Sequence, residues 1–170
     1  GPDLSQVRRV AVIGNGNVAL DVARLLAKSA EEMAKSDIVP AAAAAIAAAP
    51  LTDIYVIGRR GPEHANFTGN ELSEMGRLAQ AVAVTDAQAL EGHPPASDPT
   101  PERLRKNKNL EILKGFAANT PGSKPVTVRF LFNAAPKAVR PGELDLATGK
   151  LPVDFVVTCI GYDGEHHPKG

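Results

Sequence analysis

The sequence predicts an α/β domain with a mainly parallel sheet and an added antiparallel meander. Three observations carry that expectation. A β-branched strand, Val10-Ala11-Val12-Ile13, runs straight into Gly14-x-Gly16-x-x-Ala19, and that loop opens an amphipathic helix. Strand-like and helix-like segments then alternate, which implies parallel strands joined by right-handed crossovers. Toward the end, strand-like runs separated by turn residues follow one another, as in an antiparallel meander.

Val7 to Ile13 reads as the first strand, rich in Val and Ile and stopped by Gly14. Val18 to about Met33 reads as the first helix, with Val18, Val22, Leu25, Leu26 and Met33 near one face. A second helical piece follows: Ser36 or Asp37 is the expected cap, Pro40 suits an early position, and Ala41 to Ala49 is a strong helix former that Pro50 stops. Those bounds make a packed helix the better reading of the alanine run. Thr52 to Ile57 is the second strand. Thr68, with Glu71 three residues on, fits a capping box opening a helix whose apolar face is Leu72, Met75, Leu78 and Ala79. Ala81 to Thr85 is a third short strand, and His93 to Pro101 a proline-rich loop. Glu102 to Phe116 reads as a helix with several basic residues facing solvent, and Asn119 to Pro125 as a turn. Val126 to Phe132 alternates as a strand. It is expected to pair antiparallel with the segment that follows, up to Arg140. Ala138 to Asp145 gives a further strand, Gly149 a hairpin-like turn, and Val153 to Ile160 a last apolar strand ending at Gly161. The expected architecture is Rossmann-like and three-layered.

The 170 residues suffice for one sizeable core, and two full domains would be a squeeze. Net charge is zero, so no global basic field points to nucleic acid or an anionic membrane. Tryptophan is absent and aromatics are scarce, which argues against a base-stacking platform. No apolar run is long enough to span a bilayer, and nothing at the N-terminus reads as a secretory signal. Cys159 stands alone, so it makes neither an internal disulfide nor a structural zinc site; it reads as a small buried strand residue, and a reducing cytoplasm fits. Both ends look cut: the chain starts Gly1-Pro2 and breaks off in the polar tail 165–170. The expectation is one domain, residues 1–170, taken from a longer protein.

The glycine loop is the geometry that lays a dinucleotide pyrophosphate on a helix N-terminus. Gly14 allows a tight strand-to-helix turn, Gly16 leaves room for a phosphate to approach the backbone, and Ala19 lets helix and strand pack closely. In such folds the end of the second strand chooses the cofactor. An NAD site puts Asp or Glu there to hold the ribose 2′-hydroxyl. This chain has Gly58-Arg59-Arg60-Gly61-Pro62 instead. Two guanidiniums grip a 2′-phosphate through charge-assisted bonds, enough for a preference on the order of a hundredfold after solvent screening. The interval from the glycine loop to Arg59 exceeds the usual twenty or so residues, and the alanine-rich helix accounts for the excess. His64, beside that position, reads as a surface loop residue, and Asp21 as a surface or packing residue. No Ser-His-Asp set, metal cluster or paired carboxylates stand out, so no catalytic residue is assigned.

With Gly14 to Arg24 and Gly58 to Pro62 in hand, the chain resembles the NADP-binding domain of the adrenodoxin reductase and ferredoxin–NADP reductase family, related to the small subunit of glutamate synthase. Phe67-Thr68 with Glu71-Leu72 and Glu74-Met75 is a third matching block, and Cys159-Ile160-Gly161-Tyr162 a fourth. The resemblance implies an FAD domain interrupted by this NADP domain, with the FAD segments outside this chain. It implies that Asn15, Gly16, Asn17 and Val18 line the pyrophosphate and nicotinamide path. Arg59 and Arg60 would take the 2′-phosphate, and Glu71 would contact the nucleotide further along. It also implies hydride exchange between nicotinamide and flavin in the intact protein, a ferredoxin-like electron carrier as partner, and no reductase activity without the FAD domain. The alternatives are a glutamate-synthase-type electron-transfer subunit and a free-standing nucleotide-binding or sensor module without flavin.

Overall fold

The computed structural model describes residues 3–92, 97 and 100–159. Five parallel strands form the central sheet: β1 (Arg9–Ile13), β2 (Asp53–Ile57), β3 (Ala81–Thr85), β4 (Val126–Leu131) and β8 (Phe155–Thr158), in the order β3-β4-β2-β1-β8. A separate antiparallel meander is made by β5 (Pro136–Arg140), β6 (Glu143–Leu146) and β7 (Gly149–Pro152).

Strand alternation sorts the side chains into two cores. Val10, Val12, Ile54, Val56, Val128 and Phe130 face α1 (Asn17–Ala27), α4 (Gly69–Glu74) and α5 (Pro101–Ala117). Ala11, Ile13 and Ile57 face the other way, onto Leu144 and Leu146 of the meander and Val153. The result is three layers, helices on sheet on meander, as the sequence predicts. Phe130 anchors the helix-side core, edge-on to Phe67 at 5.9 Å and stacked on Phe116 at 5.7 Å.

Several elements differ from the sequence expectation. Val126 to Phe132 does not start the meander. As β4 it lies between β2 and β3, parallel to both, with Val56 opposite Phe130. Val128 and Phe130 face the helix-side core and Leu131 the other, where Arg129 also lies and pairs with Asp53 Oδ1 of β2 at 3.1 Å. The expected strand from Ala138 to Asp145 is two strands, split at Gly142, whose φ of 74° makes the turn. Gly149, at φ 134°, makes the expected second turn.

The expected helix from Val18 to Met33 is two. Lys28 is extended, and Ser29 starts α2 (Ala30–Ala34) with a capping box: Ser29 Oγ accepts the Glu32 N–H, and Glu32 Oε1 accepts the Ser29 N–H at 2.9 Å. The alanine run forms α3 (Pro40–Ala48), in which Ala43, Ala45 and Ile46 are half-buried and no residue is fully buried, so the expected packing is only partial. Alanine propensity forms the helix and gives it only a shallow face to bury. Its N-cap is Val39 and makes no side-chain bond. Ser36, an expected cap, instead accepts Lys28 Nζ at 2.6 Å. Thr68 caps α4 as expected, yet only half the box forms, because the Glu71 carboxylate turns to Arg24.

No helix among the described residues is long and apolar enough to cross a membrane. The greater part of the His93 to Pro101 loop, the end of the last strand at Ile160 and the Ile160-Gly161-Tyr162 block lie outside the described residues.

Candidate functional site

The carboxyl ends of β1, β2 and β8 meet where the chain leaves β1 toward β2 on one side while β8 closes the other. Such a switch point leaves a crevice at the strand ends. Ile13 is in register with Ile57 and Thr158, so Gly14, Gly58 and Cys159 end three neighbouring strands. The Gly14 N–H donates to Ile57 O at 3.0 Å, and the Cys159 N–H to Ile13 O at 2.7 Å.

The two glycines of the loop do different work. A Cβ on Gly14 would stand 3.1 Å from Ala19 Cβ, 3.1 Å from Cys159 O and 3.2 Å from Cys159 Cβ. Gly14 and buried Ala19 thus let helix, turn and β8 close on one another. A Cβ on Gly16 would meet nothing within 4 Å. Gly16 is the N-cap of α1, extended at φ −130°, and no side chain caps the helix. The N-terminus of α1 therefore carries the positive end of the helix dipole without a side-chain cap, beside the open space at Gly16. Val18, in that first turn, is 51% exposed.

Arg59 and Arg60 follow Gly58 at the end of β2, and both are exposed. Neither guanidinium has a hydrogen-bond or ion-pair partner among the described residues. Their backbone, by contrast, is tied down: Gly58 N donates to Leu131 O at 2.8 Å, while Gly58 O and Arg60 O accept from Ala134 N at 3.0 Å and Asn133 N at 2.9 Å.

Asn15 and Asn17 are committed to structure. Asn15 Nδ2 donates to His64 O at 3.1 Å, and Asn15 O accepts the Asn66 N–H at 2.7 Å. Gly16 and Asn66 form a parallel bridge. Asn17 Nδ2 donates to Thr68 Oγ1, and Asn17 Oδ1 accepts the Thr68 N–H. These contacts seat the segment 61–68 against the glycine loop. Asn15 and Asn17, expected along a nucleotide path, are thus engaged with this segment.

That segment has a second set of fasteners on α5. Asn109 Nδ2 donates to Phe67 O at 2.8 Å, Arg105 Nη1 donates to the same oxygen at 3.3 Å, and Lys106 Nζ donates to Glu63 O. The sequence predicts this helix with several basic residues facing solvent, whereas Arg105 and Lys106 are half-buried against the segment. Asn109, 2% exposed in the middle of a charged helix, carries no local signal of its role.

Glu71 lies at the junction of α1 and α4. Its Oε1 stands 3.4 Å from Arg24 Nη1, and Arg24 Nη2 stands 3.3 Å from Asp21 Oδ1. Burial pushes the Glu71 carboxyl up from its usual value, and the hydrogen bond shared with Asp21 adds to that, against the pull of Arg24. His64 Nε2 is 3.5 Å from Glu63 Oε2, and the side chain is 41% exposed, in keeping with a surface loop residue. Cys159 lies just past β8, a free thiol that burial pushes up.

No protein-family model matches the chain. The NADPH-ferredoxin reductase FprA of Mycobacterium tuberculosis is 38% identical over 190 residues, which cover 98% of this chain and 41% of that protein. A probable ferredoxin/ferredoxin–NADP reductase of Mycobacterium bovis is 36% identical over 183 residues, 98% of this chain and 30% of its own length. The mitochondrial NADPH:adrenodoxin oxidoreductase of Drosophila melanogaster is 32% identical over 177 residues, 95% of this chain and 37% of its own. Among solved structures, Mycobacterium tuberculosis FprA in complex with NADPH superposes with a TM-score of 0.83 at 31% identity, covering 95% of this chain and 40% of that one. The chain thus spans well under half the length of the proteins it matches.

Proposed function

We propose that this chain, a homologue of one segment of the ferredoxin–NADP(H) and adrenodoxin reductases, binds NADP(H) on behalf of an FAD-dependent oxidoreductase. One observation carries the reading. An uncapped helix N-terminus with open space at Gly16 stands one strand away from two guanidiniums that nothing in the described chain engages. The first suits a pyrophosphate, the second a 2′-phosphate.

In this reading residues 1–170 are one domain, and the FAD domain belongs to the remainder of a longer polypeptide. Gly14 and Ala19 shape the turn, Gly16 and the first turn of α1 receive the pyrophosphate, and Arg59 and Arg60 select the 2′-phosphate. Asn15 and Asn17 hold the wall beside it, and Glu71 contacts the nucleotide beyond. Nicotinamide and flavin together supply the hydride chemistry, while the chain supplies binding and orientation. A ferredoxin-like carrier is the partner that the relatives' names support. A reducing cytoplasm suits the free Cys159.

The test is calorimetric titration of the chain with NADP⁺ and NAD⁺, repeated on Arg59→Ala/Arg60→Ala. The expected result is a preference for NADP⁺ on the order of a hundredfold, lost in the double variant. Equal binding of the two nucleotides, or a preference the variant keeps, overturns the reading. The flavin-free chain is expected to show no diaphorase activity, and a robust rate would contradict its role as a binding domain.

A further inference from the structure

Asn133 is the sole non-glycine residue at positive φ among those described, at 56°. Backbone in this region is strained for most side chains and is tolerated best by Gly, Asn and Asp. Such outliers persist where the surroundings over-determine them. Asn133 is exposed, and its side chain has no hydrogen-bond partner among the described residues, so no side-chain contact explains the conformation. The backbone does. Turning left-handed at the end of β4 aims two successive N–H groups at the neighbouring loop: Asn133 N at Arg60 O, 2.9 Å, and Ala134 N at Gly58 O, 3.0 Å. With Gly58 N on Leu131 O at 2.8 Å, the turn carrying Arg59 and Arg60 is held at both ends. Both side chains are then left to project without a partner.

We propose that Asn133 is a positioning residue for 2′-phosphate selectivity: its left-handed backbone fixes the Gly58–Arg60 turn so that both guanidiniums are presented together. The inference rests on the reading of Arg59 and Arg60 as the 2′-phosphate ligands. It predicts that backbone conformation at position 133 matters and side-chain chemistry there does not.

The test uses the full chain, titrated with NADP⁺ and NAD⁺. Asn133→Gly keeps the left-handed turn and is expected to hold the NADP⁺:NAD⁺ affinity ratio within about twofold. Asn133→Val, β-branched and unsuited to positive φ, is expected to lower the ratio by about tenfold while NAD⁺ affinity stays within about threefold. If Asn133→Val does not fold, as judged by circular dichroism, Asn133→Ala is read on the same scale and is expected to lose about threefold. In the Arg59→Ala/Arg60→Ala background the Val substitution is expected to leave the ratio unchanged, because its effect acts through those side chains.

A ratio that survives Asn133→Val overturns the inference. So do equal losses for both nucleotides, which a purely structural role would give, and a loss in Asn133→Gly as large as in Asn133→Val. A Val effect on the ratio that persists without the arginines overturns it as well. A wild-type ratio near one removes the reading of the Arg pair and the inference with it, and is told apart from the other failures because it needs no variant.

Discussion

Asn17 and Thr68 hold each other twice: Asn17 Oδ1 accepts the Thr68 backbone N–H at 3.0 Å, and Asn17 Nδ2 donates to Thr68 Oγ1 at 3.3 Å. The first residue of α1 is thereby tied to the N-cap of α4 across 51 positions of sequence. Neither helix needs the other to form its first turn. The clasp serves the space between them, where the glycine loop and the segment 61–68 face one another.

Substitution of Asn17 separates its structural role from its place beside the proposed phosphate site. Asn17→Ala removes both bonds and is expected to destabilise by about 1 kcal/mol, since the freed groups are exposed and water replaces the partner. Asn17→Asp keeps the acceptor for Thr68 and puts a favourable negative charge in the first turn of α1. It is expected to keep the wild-type Tm yet weaken NADP⁺ binding at least about tenfold at low salt, with the gap narrowing as salt screens the repulsion. Thermal unfolding and titration at two ionic strengths check this. An Asp variant that binds like wild type would place the phosphates elsewhere.

The two loop glycines are expected to fail in opposite ways. Gly14→Ala pushes a methyl to within 3.1 Å of Ala19 Cβ and a backbone carbonyl, so it overpacks the turn and lowers stability by about 1–3 kcal/mol. Gly16→Ala meets nothing within 4 Å and needs no special backbone angle. Its stability is expected to stay within about 0.5 kcal/mol of wild type, with NADP⁺ affinity falling at least about tenfold as the methyl enters the opening. Denaturant titration alongside calorimetry separates the two outcomes.

In the proposed reading, Glu71 sets nucleotide binding against stability. Burial and the neighbouring Asp21 raise its carboxyl, with Arg24 pulling the other way. A raised carboxyl contributes stability while protonated, below the ordinary carboxylate range, and loses it as pH rises through the folded value. At neutral pH the ionised Glu71 is therefore a liability to the fold. Glu71→Gln is expected to leave the Tm at pH 7 unchanged or higher, while NADP⁺ affinity drops about threefold to tenfold. A sharp drop in Tm at pH 7 would show that the ion pair with Arg24 outweighs burial.

Asp154 has the opposite sign and lies at the other end of the sheet. Its Oδ2 accepts the N–H groups of Arg8 and Arg9 at 2.9 and 3.0 Å, and those bonds hold the carboxyl below its ordinary value. A lowered carboxyl contributes stability above its unfolded value and loses it as pH falls through the folded one. Asp154→Asn is expected to cost about 1 kcal/mol at pH 7, a figure discounted for solvent at this exposed site. The difference from wild type should close as pH falls below about 4. NADP⁺ affinity should not change, because the bonds sit at the start of β1, away from the glycine loop. A constant gap across pH would mean that the charge of Asp154 contributes nothing.

Local signals in the sequence determined much of this protein. Val10 to Ala19 specifies strand, turn and helix through residues that touch one another along the chain. The Arg pair announces itself by replacing an acidic residue at a strand end, and Thr68 declares its helix start. The meander was foreseen as a class of structure, but its strands were misassigned because β alternation records which faces a strand presents and not which strand lies beside it. Only the tertiary structure placed β4 between β2 and β3, turned Asn15 and Asn17 into fasteners of the segment 61–68, and brought Asn109 and Lys106 onto its carbonyls. The left-handed Asn133 beside Arg60 belongs to the same group. Each of these depends on contacts between residues far apart in the chain, and hydrogen-bonding side chains such as Asn read alike whether they bind a ligand, cap a helix or hold a loop. Their role is set by the partner that folding delivers.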